Sequence, residues 1–322
     1  MEYTITDGPA PAEDAGALLR TAWNPPVLFY TEEYMRWQLT FPGAQRCLSA
    51  MATEQGMLAG FAGSTNRRVR WDSRELELSV VSFVAVHPEF RGRGIAAELY
   101  RILLGGLRER GNPILTFAQA GSGGQRAIEK AYPAAGLRLS PPVAYPAFGC
   151  LVRAGQMPGR WAPCAAGEEA NTIESLPCSA EEGVFWSAPT REQMAHYLTD
   201  PRGRILMVER DDEGNVAGAA FAGRIELKMT DRVARVTTVD SLWMRQGRSD
   251  SLPSLAAAAE IWASGPIQAA ATVSLPNLCR MEAAQLRRVG IRQIATPYTG
   301  WIAWGDDREL SNVPAVTNLE IV

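Results

Sequence analysis

Cysteine, histidine and long apolar runs are all scarce in this chain of 322 residues. The five cysteines are scattered, odd in number and form no C-x-x-C pair, so the sequence favours neither a disulfide framework nor a zinc cluster. Only two histidines occur, which gives no basis for a histidine-rich site, and we expect no metal. No apolar run approaches the roughly 18 residues that a membrane helix needs.

An excess of positive charge is also lacking. The chain has 32 basic and 35 acidic residues and a net charge of −3, whereas nucleic-acid binding needs concentrated lysine and arginine. The first residues, Met1–Asp7, lack the basic and apolar regions of a signal peptide. We therefore expect a cytoplasmic protein with neither a nucleic-acid nor a membrane partner.

The length suits two domains of about 150 residues each. Residues 154–163 are rich in glycine and proline and are predicted to be a linker between domains 1–153 and 164–322. The second half repeats the element order of the first. Locally, Glu54–Gly63 resembles Asp212–Gly223, which indicates an internal duplication.

Alternation and apolar runs predict a mixed α/β fold for the first half. Three strands, Gln45–Ala52, Met57–Arg70 and Glu75–Val86, form an antiparallel meander. A helix over about residues 92–110 has one apolar stripe, and another strand follows at Ile114–Ala118.

The segment that follows Val86 carries the chemistry. A buried strand ends, and a glycine-rich turn then opens a helix, so several backbone N–H groups and the positive end of the helix dipole point outside the sheet. Gly92 and Gly94 let the backbone approach a ligand closely, and Arg91 and Arg93 add cationic donors. A phosphate or pyrophosphate is the expected ligand.

A dinucleotide-binding turn is one interpretation, because Gly92–Ala97 fits the pattern G-x-G-x-x-G/A. Three observations disfavour it. Five residues, His87–Arg91, separate the strand from the first glycine, and the next strand ends at Phe117–Gln119 without the acid that would hold a ribose. The preceding strands also form a meander and not βαβ units.

The segment Arg91–Ala96 instead resembles the Arg/Gln-x-x-Gly-x-Gly/Ala loop of the GNAT acyltransferase superfamily. Downstream, Tyr132–Leu137 resembles the Tyr-x-x-x-Gly-Phe segment of that family. The resemblance covers residues 1–152 well and the remainder only by element order. It implies two tandem GNAT-like domains, each a splayed mixed sheet flanked by helices.

The resemblance also implies an acyl-CoA site between the strands Glu75–Val86 and Ile114–Ala118. Acetyl-CoA is the expected co-substrate, and Tyr132 would protonate the departing thiolate. A backbone N–H of the Phe83–Val84 segment would donate a hydrogen bond to the thioester oxygen. The implied binding residues are Phe83, Val84, Val86, Arg91, Gly92, Arg93, Gly94, Ile95 and Ala96.

The sequence does not identify the general base that would take the proton of the attacking amine. Family members that use a glutamate on the central strand carry it near Val80–Phe83, and this stretch has no acid. Ser82 could hold a water, although a hydrogen-bonded core serine is the alternative. Glu32 and Glu33, in an aromatic-rich segment, could attract a cationic amine, although acids in a first helical turn are equally expected for stability. The aromatics of that segment either line the acceptor pocket or pack in the core.

In the second half, the corresponding turn lies within Trp243–Leu252 and has a single glycine. Asp250 would repel a phosphate, and Pro253 follows in the first turns of the helix. We therefore expect a degenerate domain that no longer binds cofactor. It would cover a sheet edge of the first domain and shape the acceptor pocket.

The predicted function is N-acetyltransfer from acetyl-CoA to the primary amine of a small molecule, such as an antibiotic-like compound or secondary metabolite. Direct attack is expected because no Cys/His or Ser/His pair suggests a covalent intermediate. The alternatives are acetylation of a protein amine and a non-catalytic acyl-CoA-binding or sensing module. The sequence does not fix the oligomeric state, and a homodimer is one alternative.

Overall fold

A computed structural model describes residues 1–7, 11–42, 47–71, 74–175, 185–187, 189–244, 249–276, 281–295, 297–305 and 316–317. Parts of two predicted elements, residues 45–46 and 278–280, lie outside these ranges.

The first half alternates strands and helices as predicted. Its elements are β1 (Glu2–Asp7), α1 (Ala12–Ala22), β2 (Val27–Leu28), α2 (Glu32–Leu39), β3 (Leu48–Glu54), β4 (Met57–Trp71), β5 (Arg74–Val86), α3 (Ile95–Arg110), β6 (Ile114–Gln119), α4 (Gly123–Ala134), β7 (Arg138–Leu139), β8 (Val143–Tyr145) and β9 (Phe148–Val152).

The second half has a similar order. Its elements are β10 (Trp161–Pro163), α5 (Glu169–Ser175), β11 (Phe185–Ser187), α6 (Arg191–Leu198), β12 (Arg204–Arg210), β13 (Val216–Lys228), β14 (Val233–Met244), α7 (Leu252–Ser264), β15 (Ala271–Leu275), α8 (Ala283–Arg288), β16 (Ile291–Gln293), β17 (Tyr298–Trp304) and β18 (Val316–Thr317). The end of the predicted linker is therefore a strand: β10 pairs with β12, and Trp161 is buried.

Two mixed sheets organise these elements, as the α/β tandem prediction expected. Within the described residues one sheet has ten strands, in the central order β1-β3-β4-β5-β6-β17-β7, and the other has eight, in the order β10-β12-β13-β14-β15-β9-β16. Helices α3 and α7 lie at equivalent places after the third strand of each meander. The predicted fold class is confirmed.

Helix α3 forms where the apolar stripe predicted it. Ile95, Leu99, Leu103 and Leu107 follow one another at a spacing of four residues and are almost completely buried against the first sheet. Burial of each side chain stabilises the fold by roughly 1.5–3 kcal/mol. The helix ends at Gly111, whose φ of 71° is the left-handed conformation that glycine adopts without strain.

The two halves exchange their last long strands. β9 ends the first half but lies in the second sheet, between β15 and β16, whereas β17 ends the second half and lies in the first sheet, between β6 and β7. Each half therefore completes the sheet of the other. The predicted division into residues 1–153 and 164–322 describes chain order, and it stays a prediction about domains.

Further contacts join the halves on the α2 side. The Trp37 indole N–H donates to the His196 carbonyl at 2.9 Å, and the two rings stack with centroids 5.0 Å apart. Strand β2 pairs antiparallel with the end of β13. The second half therefore packs directly on the segment that connects α1 to α2.

In the described ranges, every helix is too short or too polar to cross a bilayer.

Candidate functional site

The predicted phosphate loop lies at the start of α3. Gly92 and Gly94 have φ angles of 79° and 78°, in the left-handed region that side chains other than glycine rarely adopt. A Cβ atom at either position would meet no heavy atom within 4 Å. The loop thus needs glycine for its backbone shape, and open space lies in front of it.

The backbone amides of this loop point to no acceptor in the described residues. The first α3 amide with an intrachain partner is that of Glu98, which donates to the Gly94 carbonyl at 3.1 Å. The amides of Gly92 to Ala97 have no such partner. Unpaired N–H groups at the positive end of a helix of 16 residues bind anions well.

The two loop arginines are anchored at its sides. The Arg91 guanidinium donates to the Ala22 carbonyl at the end of α1. Arg93 pairs with Glu54 at 3.2 Å and lies 5.0 Å from the ring centroid of Phe90. Both side chains remain exposed, so they keep cationic groups beside the free amides.

The gap between β5 and β6 opens immediately beside this loop. The parallel pairing of these strands ends at Val81 and Thr116. Beyond that pair, the edge of β5 from Ser82 to Val86 has no strand partner on the β6 side in the described residues. This splay is where the family resemblance put the pantetheine of CoA, beside Val84 and Val86.

A bulge marks the start of the splay. Ser82 pairs with Gly63, but Ala85 pairs with Phe61, so β5 contains one residue more than β4. Phe83 lies in the bulge with φ of 61°, which is strained for an aromatic residue. A second bulge in β13–β14, at Asp240, occupies the equivalent place in the second half and supports the duplication.

Tyr132 lies at the same end of the gap, on the α3–α4 side of the sheet. Its hydroxyl is fully buried and, apart from the neighbouring Thr116 hydroxyl, has no hydrogen-bond partner among the described residues. Burial raises the pKa of Tyr132 well above its usual range, Tyr100 adds to this rise and the Thr116 hydroxyl opposes it. Because Thr116 belongs to the last β5–β6 pair, the protonated phenol lies beside the point where the strands part.

The candidate acids and Ser82 lie in different surroundings. Glu32 is exposed and pairs with Arg36 along α2, whereas Glu33 lines a cleft between the halves. Ser82 is half-buried at the bulge, and its hydroxyl makes no hydrogen bond within the described chain. Of the predicted acids, only Glu33 faces the cleft.

Most of the aromatic segment forms core and not pocket. Tyr30, Tyr34 and Trp37 are buried in one cluster that spans both halves. Tyr30 meets Phe83 edge to face, with ring centroids 5.9 Å apart, so this cluster reaches the bulge. Phe29 and one face of Tyr34 line the cleft, and core packing accounts for the rest.

The cleft has a volume of about 260 Å³ and lies between the α1–α2 segment and the second half. Its lining residues are Leu28, Phe29, Thr31, Glu33, Tyr34, Pro201, Arg202, Arg224, Glu226 and Arg235. The Arg202 guanidinium stacks over the Tyr34 ring at 4.1 Å. The positive charge of Arg202 also opposes the rise in the pKa of Tyr30 that burial causes. The cleft therefore lies close to Tyr30, whose ring contacts that of Phe83.

Sequence reasoning missed the three arginines of this cleft. Arg224 and Arg235 lie on adjacent strands, and Arg202 precedes β12. The only local signal was the i, i+2 spacing of Arg224 and Glu226, which puts both on one face of β13. Nothing in that spacing indicates that the face meets the α1–α2 segment.

The corresponding turn of the second half is only partly described, since residues 245–248 lie outside the described ranges. The start of α7 is covered by the segment that precedes β10. Gln156 donates to the Pro253 carbonyl at 3.0 Å, and a Cβ at Gly159 would meet Ser254 at 3.0 Å. This covering is consistent with the predicted loss of a phosphate site.

Comparison with known proteins finds one family model that matches part of the chain. The model of the acetyltransferase (GNAT) domain family matches residues 11–119. Residues 11–119 are about a third of the chain, and they are similar to that domain. The resemblance seen in the sequence is thereby confirmed, and the matched region contains the loop of Gly92 to Ala97 and both strands of the splay.

Solved structures share the fold of the GNAT domain and of the second half. A GCN5-related N-acetyltransferase from Kribbella flavida is 14% identical with a TM-score of 0.53, over 94% of this chain and 70% of that one. An N-myristoyltransferase from Saccharomyces cerevisiae, solved with bound myristoyl-CoA, is 10% identical with a TM-score of 0.66, over 100% and 85%. A GCN5-related N-acetyltransferase from Anabaena variabilis is 13% identical with a TM-score of 0.57, over 94% and 72%. A search of the curated proteins finds no significant match.

Proposed function

We propose that the protein is an acetyl-CoA-dependent N-acyltransferase that acts directly on the primary amine of a small molecule. The observation that carries this proposal is the row of unpaired amides from Gly92 to Ala97, beside the open edge of β5. The matched family is one of acetyltransferases, and one structural neighbour was solved with an acyl-CoA.

The residues of the loop and the splay fit CoA. The pyrophosphate would accept hydrogen bonds from the amides of residues 92–96, in the open space that the two glycines leave. The pantetheine would pair with the free backbone of Val84 and Val86, as an added strand does. Acyl-CoA supplies an activated acyl group, and an N–H at Phe83–Val84 would hold its thioester oxygen.

Tyr132 is the proposed acid. Its hydroxyl keeps its proton at neutral pH because burial raises its pKa, and it has no acceptor within the described chain. An unpaired buried hydroxyl costs about 1–3 kcal/mol, so a ligand atom that accepts this hydrogen bond would bind favourably. We assign that place to the sulfur of CoA, which would receive the proton as the thiol leaves.

The cleft is the proposed acceptor site. Its volume of about 260 Å³ suits a small molecule, and both of its walls are parts of this chain. The carboxylate of Glu33 would attract the ammonium form of the acceptor. Ser82, half-buried at the bulge, would hold the water that takes up the amine proton.

The second half is proposed to serve the acceptor and not the cofactor. It contributes Arg202, Arg224, Glu226 and Arg235 to the cleft, and the start of its helix α7 is covered. Its strand β17 also pairs with β6 and so covers an edge of the first sheet.

A thiol-release assay with acetyl-CoA tests the function, together with calorimetric titration of CoA. The acceptors are a panel of small primary amines and one peptide with a free N-terminus. Release that depends on a small amine supports the proposal, and release with the peptide alone favours protein acetylation. Tight CoA binding without release from any acceptor would point to the sensing alternative, and absence of CoA binding would refute all three.

A further inference from the structure

Two of the arginines that line the cleft are matched by acids. Arg235 pairs with Glu226, its cross-strand neighbour, with Nε and Oε1 at 2.9 Å. Arg202 pairs with the buried carboxylate of Asp200 at 2.6 Å. These four charges cancel within the protein.

Two further charges in the same cleft are not matched. Arg224 is half-buried, and its only hydrogen bond in the described chain goes to the Ser264 hydroxyl, at 3.0 Å. Its cross-strand neighbour is Thr237, whose hydroxyl donates to the Glu260 carboxylate, and within the described residues Glu260 makes no ion pair with Arg224. Glu33 makes neither an ion pair nor a hydrogen bond with any described residue. A partly buried guanidinium without a counter-ion is a favourable place for an added anion.

The backbone holds these two groups on opposite walls of the cleft. Leu28 pairs with Leu227, and the Phe29 amide donates to the Glu226 carbonyl at 2.7 Å. The segment before Glu33 is therefore fixed to the strand that carries Arg224. Among the residues that the structure describes, one cleft thus presents a cation from the second half and a carboxylate from the first that have no ion-pair partner.

We propose that the acceptor is an amine that also carries an oxyanion, either a carboxylate or a phosphate. Arg224 binds the oxyanion through its planar guanidinium, and Glu33 binds the ammonium group. This assignment rests on the proposed function, because it describes the acceptor of that same reaction. It adds that the duplicated half selects the acceptor through a residue that is remote from the CoA loop.

Direct binding to the full chain tests the assignment without any turnover. The probes are 4-aminobutyrate and O-phosphoethanolamine, with butylamine and ethanolamine as counterparts that keep the ammonium group and lack the oxyanion, titrated by ligand-observed NMR with CoA present. The member of each pair that carries the oxyanion should bind at least about tenfold more tightly, since a charge-assisted hydrogen bond to a guanidinium is stronger than a neutral one. The pair with the larger preference tells carboxylate from phosphate.

Three variants and one control locate the effect. Arg224→Gln should remove the preference and leave the affinity for butylamine within about twofold, whereas Arg224→Lys should keep part of it. Glu33→Gln should weaken all four probes alike. Arg160→Gln is the matched control, because Arg160 is an exposed arginine of the same half that pairs with Asp212 and does not line the cleft.

Equal affinity for probes with and without the oxyanion, failure of all four to bind, or a preference that survives in Arg224→Gln would overturn the assignment. The proposed function fails separately. If the charge preference is found and depends on Arg224, but no amine supports thiol release from acetyl-CoA, the cleft binds such amines and the protein is not their acyltransferase.

Discussion

Gly94 and Gly111 begin and end α3 with the same backbone conformation, with φ angles of 78° and 71°. At both positions an added Cβ would meet no heavy atom within 4 Å. Any side chain therefore costs the same backbone strain at the two ends, about 1–2 kcal/mol. The ends differ only in function, because free amides surround Gly94 and not Gly111.

Alanine variants at these two glycines distinguish the effect of backbone strain from the loss of ligand binding. Gly94→Ala and Gly111→Ala should lower the free energy of unfolding by similar amounts in urea titrations. Only Gly94→Ala should weaken CoA, by at least about tenfold in calorimetry, because its methyl group occupies the space of the pyrophosphate. Gly94→Glu should abolish CoA binding. A similar loss of CoA affinity in Gly111→Ala would mean that helix strain, and not the cradle, controls binding.

The phenol of Tyr132 gives a second prediction. Tyr132→Phe should lower turnover by roughly 10²-fold, in the range of a general acid, and change CoA affinity by less than about twofold. The variant should be as stable as the wild type or more stable by about 1 kcal/mol, because an unpaired buried hydroxyl is removed. Tyr100→Phe, whose ring lies 6.1 Å from that of Tyr132, is the control and should retain turnover. Full activity in Tyr132→Phe would remove this residue from the acid role.

The exchange of β9 and β17 predicts one cooperative unit. The full chain should unfold in a single calorimetric transition, since neither sheet is complete without the other half. Residues 1–153 alone should show no cooperative transition, because they lack β17 beside β6. Cleavage at an inserted protease site near Met157, which is 74% exposed, should leave two pieces that elute together. Two separated transitions, or pieces that part after cleavage, would contradict this.

Local patterns predicted those parts of the fold that short stretches determine. The apolar stripe of α3 and the glycines before it needed only a few consecutive residues, and the splay followed from the family resemblance. The strand exchange could not be predicted, because β9 and β17 have the same local pattern whichever sheet they join. The sequence also did not indicate that Glu33, and not Glu32, lines the cleft, because the two residues are adjacent in the first turn of α2.

The acceptor cleft was the least predictable part. Arg202 and Arg224 are separated in the chain from Glu33 by more than half its length, and a strand arginine is ordinarily exposed and solvated. The pairing of β2 with β13 and the packing of Arg202 on Tyr34 bring these groups together. No spacing within either half encodes that pairing.

Buried tyrosines give a prediction for alkaline pH. Burial raises the pKa of Tyr30, Tyr100 and Tyr132 above the ordinary value of about 10. Above about pH 10 the unfolded chain releases these protons and the native state retains them, so the free energy of unfolding must fall as pH rises. Each retained proton lowers the free energy of unfolding by about 1.4 kcal/mol per pH unit. Three retained protons lower it by about 4 kcal/mol per pH unit. Urea titrations between about pH 9 and pH 11 measure it.

The variant Tyr100→Phe isolates the tyrosine contribution from that of other groups. It removes one of the three retained protons, so its stability should fall with pH less steeply than that of the wild type, by about 1.4 kcal/mol per pH unit. Below about pH 9 all phenols are protonated in both states, and the difference in stability between the two proteins should not depend on pH. Parallel curves at alkaline pH would mean that the native state ionises these phenols as readily as the unfolded chain does. That result would also argue against a Tyr132 hydroxyl that keeps its proton for a departing thiolate.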